Sequence, residues 1–127
     1  MKIINLIIAL VLSITIVSCQ KEVKKLDVTM TYVGDCLENK TDKDSAFSYH
    51  SSISTLNIHK YSTAYPCEGE INVSAEIKDN VIAITEQSSM ENKCTCPKNI
   101  TYTIGNITSG SYQISINGKI IGDVLIY

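Results

Sequence analysis

The chain has 127 residues, and its eleven basic side chains, all lysine, stand against thirteen acidic ones for a formal charge of -2. That balance provides no basic stripe to neutralise phosphates, so nucleic acid is not an expected partner. With no Trp and a single Phe among 44% apolar residues, the core must come from Ile, Val and Tyr, a mixture that favours strands over helices.

The chain opens on an early charge, Lys2, followed by an apolar stretch from Ile3 to Val17 and then Ser18 and Cys19. A charged start, a short apolar core and a small residue before the break are the parts of an export signal. Ile16-Val17-Ser18-Cys19 resembles the lipobox of bacterial lipoproteins. The resemblance implies that residues 1–18 are a signal peptide and that Cys19 is acylated, as by palmitate. It also implies a mature protein held on a membrane of the bacterial cell envelope. About 108 residues then remain, enough for one domain and one core.

Residues 19–25 are short, polar and lysine-rich, and read as a flexible tether, with the domain spanning residues 26–127. Period-two alternation begins at Leu26 and continues through Val28, Met30 and Tyr32, predicting a first strand. Gly34 to Ser45 is charged and nearly free of apolar residues, so it reads as an exposed loop or a short helical turn. Its carboxylates Asp35, Glu38, Asp42 and Asp44 lack the glycine and terminal glutamate of an EF-hand.

Ser54 to Lys60 predicts a strand ended by Pro66 and Cys67, preceded by a less regular stretch from Phe47 to Ser52. Glu70 to Lys78 alternates through Ile71, Val73, Ala75 and Ile77, and Lys78-Asp79-Asn80 turns the chain into Val81 to Glu86. Gln87 to Lys93 reads as a loop. Pro97 belongs at the entry or edge of a strand from Ile100 to Ile104. Tyr112, Ile114 and Ile116 alternate up to Asn117-Gly118, whose residues tolerate the positive φ of a type I′ turn, and Lys119 to Tyr127 returns. Seven or so short strands predict a single small antiparallel β-sandwich.

Ile107-Thr108-Ser109-Gly110-Ser111-Tyr112-Gln113-Ile114 resembles a segment of immunoglobulin-like and prealbumin-like sandwich domains. In those domains the tyrosine hydroxyl bonds back to the corner. Together with Cys94-Thr95-Cys96-Pro97 upstream, it resembles small envelope lipoproteins of uncharacterised function. That resemblance implies a fold and a location and supplies no catalytic residue.

Setting Cys19 aside leaves Cys36, Cys67, Cys94 and Cys96. An even number in an exported chain predicts two disulfides. Cys94 and Cys96 are the least suited to each other, because an extended strand holds their Cα atoms ~6.5–7 Å apart on one face. Each should pair with Cys36 or Cys67, in either combination.

The alternative chemistry is a thiolate site for copper(I) or zinc, built on Cys94 and Cys96 with Cys67 or Cys36 and joined by His50, His59, Met30 or Met90. The missing C-x-x-C spacing and the oxidising compartment weigh against it, and no cofactor is expected. His50 and His59 lie in no catalytic motif, so no enzymatic activity is expected. Tyr49, Tyr61 and Tyr65 read as core and edge packing ahead of a recognition surface.

The expected function is therefore a membrane-anchored binding module that engages a protein partner through the loops at Gly34 to Ser45 and Gln87 to Lys93. Metal handling, and inhibition of an enzyme in the manner of an immunity protein, are the alternatives.

Overall fold

A computed structural model describes residues 21–89 and 94–127. Cys19, the segment 1–18 and Met90 lie outside the described residues. Eight strands follow in order: β1 (Lys24–Val33), β2 (Ala46–Ser52), β3 (Thr55–Pro66), β4 (Ile71–Lys78), β5 (Val81–Ser88), β6 (Thr95–Gly105), β7 (Gly110–Ile116) and β8 (Lys119–Ile126). A single 3-10 turn at Asp42–Asp44 interrupts the charged loop after β1, where the Asp44 carboxylate accepts from the Thr41 backbone N–H at 2.9 Å.

The strands form one sheet in the order β2-β3-β6-β1-β4-β5-β7-β8, nearly closed into a barrel. Two antiparallel sheets were expected; the structure instead has one continuous mixed sheet. β1 makes it continuous by pairing with β4 through Lys24, Lys25 and Leu26 and with β6 through Asp27 to Val33. β5 and β7 run parallel. A parallel pair needs a long crossover, and here β6 supplies it by running back along the far side before the chain returns to β5.

Two boundaries also shift. Lys24 and Lys25, read as tether, pair with Ile77 and Glu76, so the ordered domain starts before Leu26. β6 begins at Thr95 rather than Ile100 and contains Pro97 opposite Ala64. The proline is tolerated because β1 pairs with β6 only as far as Ile100, and beyond it the segment after β1 uses only the Pro97 carbonyl, which accepts from Leu37 N–H at 2.9 Å.

The turns follow from local chemistry. Asp79 and Asn80 have φ of 53° and 59°, and Asn117 and Gly118 have φ of 49° and 81°, the paired positive values of type I′ hairpins. The corner before β7 is tied by the Tyr112 hydroxyl, which donates to the Thr108 carbonyl at 2.8 Å.

One core fills the interior. Leu56, Ile58, Ile100, Tyr102 and Ile104 from β3 and β6 pack with Ala75, Ile82, Ile84, Ile114 and Ile126 from the other half. Alternation along each strand places these residues on one face.

The free edges β2 and β8 approach each other at a seam, where the Tyr49 hydroxyl donates to the Asp123 carbonyl at 3.0 Å. A Cβ on Gly122 would collide with that hydroxyl. Gly122→Ala should therefore displace Tyr49 and lower stability by about 1–3 kcal/mol, as overpacking does. Faster amide exchange in β8 would mark the opened seam, and adding Tyr49→Phe to make room should restore part of the loss. An unchanged melting temperature in Gly122→Ala would show that the seam is not packed this way.

Candidate functional site

The strand directions give the barrel two poles. At one lie the entry to β1, the turns at Ser54, Asp79 and Asn80, and the carboxyl terminus, where Ser54 N–H donates to the Tyr127 carbonyl at 2.9 Å. At the other lie the ends of β1, β3 and β5 and the start of β6.

Toward this second pole the interior turns polar. On β5 the inward series Ile82, Ile84 continues to Glu86, and on β3 the series Leu56, Ile58 continues to Lys60. Their side chains are only 6% and 15% exposed, and Lys60 Nζ lies 2.8 Å from Glu86 Oε2. Tyr65 donates to the same oxygen at 3.1 Å, while Tyr102 donates to Oε1 at 2.7 Å. The Glu86 backbone N–H donates to Asn117 Oδ1 at 2.8 Å, so the β7–β8 turn clamps the carboxylate's own backbone.

A carboxylate removed from water is tolerable only when paired and fully hydrogen-bonded, and Glu86 has a cation and two hydroxyls. Burial first, then the Glu86 charge and its hydrogen bonds, push both phenols far above their ordinary value near 10.0. Both tyrosines therefore act as donors throughout the physiological range.

This cluster opens outward. Lys60, Thr63, Tyr65, Glu86 and Asn117 line a cavity of about 280 Å³. Lys60 and Thr63 also line an apolar cleft of about 310 Å³ with Phe47, Ile116 and Ile121, where the seam widens. A broader depression of about 500 Å³ lies by Asp79, Tyr112 and Asp123. It sits at the first pole, where β1 begins, away from the Lys60–Glu86 pair.

The four cysteines gather at the mouth pole. Cys36 is bonded to Cys96 and Cys67 to Cys94, one of the two combinations left open by the sequence. Lys98, buried to 8% exposure, donates from Nζ to the Cys67 carbonyl at 3.1 Å. His50 and His59 stand apart from the sulfurs on the outer face of β2 and β3, their rings stacked at 5.5 Å. Of the three tyrosines read as packing, Tyr65 is buried and Tyr49 closes the seam, whereas Tyr61 is exposed and stacks on His59.

Of the two loops expected to carry recognition, the segment from Gly34 is pinned to β6 by Gly34 N–H on the Asn99 carbonyl and Leu37 N–H on the Pro97 carbonyl. Gln87 and Ser88 belong to β5, paired with Asn72 and Ile71, and residues 90–93 lie outside the described residues. Lys60, Glu86 and Tyr102 are the site residues that the sequence reading passed over. Their signal was a charge continuing the apolar face of a strand, present on two strands.

Fold and site together define an all-β, barrel-like domain, stapled by two disulfides and carrying a buried ion pair at one mouth. Comparison with protein-family models, with curated proteins and with solved structures found no match.

Proposed function

We propose that this chain is an acyl-anchored lipoprotein of a bacterial cell envelope that works as a binding module, with the mouth of the barrel as its binding site. The observation that carries the reading is the Lys60–Glu86 pair, held by Tyr65 and Tyr102 and open to a cavity. Buried polar clusters in clefts are favoured positions for ligand recognition. Lys60 and Thr63 border both the polar cavity and the apolar cleft, which suits an amphiphilic guest or peptide segment. Its polar end would meet Thr63 and Asn117 beside the ion pair, and its apolar part would lie against Phe47 and Ile121.

Binding is favoured over catalysis because the Glu86 carboxylate is occupied by three donors and both phenols keep their protons. The pole at which β1 begins lies opposite the mouth, so an acyl group on Cys19 would leave the mouth clear of the membrane.

Two measurements test the halves of this reading separately. Anilinonaphthalene sulfonate should bind the folded protein saturably, and Phe47→Ala should weaken that binding at least fivefold. Non-saturable binding, or equal binding by the variant, would remove the mouth as the site. The chain should fractionate with membranes and incorporate labelled palmitate, and Cys19→Ala should abolish the label; no label on the chain, or a label kept by Cys19→Ala, would end the lipoprotein reading.

A further inference from the structure

The sulfurs of Cys36, Cys67 and Cys96 all lie within 4.8 Å of one another, although they belong to two different bridges. The sulfur of Cys94 is bonded to that of Cys67, so the fourth sulfur adjoins this group of three. Two disulfides that merely staple a fold have no need to touch. Tetrahedral thiolate coordination of Zn²⁺, with Zn–S near 2.3 Å, places sulfurs ~3.8 Å apart, inside the 4.8 Å that bounds the three sulfurs here.

We propose that, once both bridges are reduced, Cys36, Cys67, Cys94 and Cys96 form a site for one thiophilic cation of the Zn²⁺ class. The ligands come from the segment after β1, the end of β3 and the start of β6. Backbone hydrogen bonds hold these three pieces together independently of the sulfurs. Gly34 N–H donates to the Asn99 carbonyl at 2.8 Å, Leu37 N–H to the Pro97 carbonyl at 2.9 Å and Cys67 N–H to the Cys94 carbonyl at 2.9 Å. Reduction therefore leaves the ligands in place. The buried Lys98 ammonium, fixed on the Cys67 carbonyl, brings positive charge beside what becomes an anionic cluster.

Access is adequate, since Cys36 and Cys94 are exposed and Cys67 and Cys96 half-buried. Each bridge takes two electrons and two protons from an external dithiol, which closes to its own disulfide. Coordination by four thiolates then releases four protons to solvent. Staple and cation site exclude each other, so cation occupancy follows the thiol redox state of the compartment. This inference is independent of ligand binding at the mouth.

The test uses the full chain carrying Cys19→Ser, so that only these four thiols remain. The chain is reduced with a phosphine, freed of reductant and titrated with Zn²⁺ against a chromophoric chelator, with circular dichroism recorded alongside. The reduced chain should bind one equivalent while keeping, or regaining, its strand spectrum, and the oxidised chain should bind none. Co²⁺ in place of Zn²⁺ should give the intense visible absorption of tetrahedral thiolate coordination. Cys36→Ser and Cys67→Ser should each weaken Zn²⁺ binding at least a hundredfold. Three results would overturn the proposal: no stoichiometric binding by the reduced chain, binding without a strand spectrum, or unchanged affinity in both serine variants.

Discussion

Replacing Cys36 and Cys96 together with alanine should lower the unfolding free energy by about 4 kcal/mol. The bridge closes a separation of 60 residues, against 27 for Cys67–Cys94. Longer loops restrict the unfolded chain more, so the second pair should cost about 3.5 kcal/mol when removed in the same way. The Cys36–Cys96 bond also fixes the segment after β1 against β6, where Gly34 and Leu37 donate to Asn99 and Pro97. Without it the extension is held by those two backbone bonds alone. Urea unfolding of both double-alanine variants measures the difference, and a greater loss from the shorter bridge would contradict the chain-entropy account.

The second large effect is at the mouth. Lys60→Met should destabilise by about 3 kcal/mol, because it leaves the Glu86 carboxylate buried without its cation. For a domain of this size that corresponds to a melting temperature lower by more than about 10 °C. Glu86→Gln should be milder, since an amide still offers an oxygen to Tyr102 and the Lys60 ammonium can extend toward solvent. The double variant Lys60→Met/Glu86→Gln should be more stable than Lys60→Met alone. Thermal melts of the three variants decide this; if the double is no better than Lys60→Met, the stranded carboxylate is not the cause.

The same cluster sets an alkaline limit. Tyr65 and Tyr102 hold their protons in the folded state well above the ordinary phenol value of 10.0, so the unfolded chain gives them up first. Their contribution is constant below about pH 10 and is lost above it, at about 1.4 kcal/mol per pH unit for each phenol. Tyr65→Phe/Tyr102→Phe should flatten that decline.

Most of the strand map was legible because alternation and turn chemistry are local signals. Asp79-Asn80 and Asn117-Gly118 adopt the positive φ values that their residue types favour, and the apolar residues of β4, β5 and β7 face the core as their spacing predicts. The parallel pairing of β5 with β7 was not legible, since it depends on where β6 packs, a choice made by the whole core. Pro97 concealed the first part of β6 because its suitability depends on where β1 stops. Lys60 and Glu86 were overlooked for a different reason. A lone charge at a strand end usually faces water, and only the pairing of two such charges across the interior reveals that these do not. The thiol pairing was narrowed by spacing within Cys94-Thr95-Cys96 and decided by which segment lies beside each sulfur.

The place of β1 in the sheet has a mechanical consequence. The chain enters at Lys24 on a strand flanked by β4 and β6, whereas the carboxyl-terminal strand β8 lies at an edge. Tension applied through the residues before Lys24 is directed along β1, across hydrogen bonds that lie perpendicular to it. Those bonds lie on both sides of β1 and share the force, whereas a pull on Tyr127 is resisted by the ladder with β7 on one side and the Tyr49–Asp123 bond on the other. The amino-terminal strand is thus the one held fast on both flanks, and the carboxyl-terminal strand the first to yield.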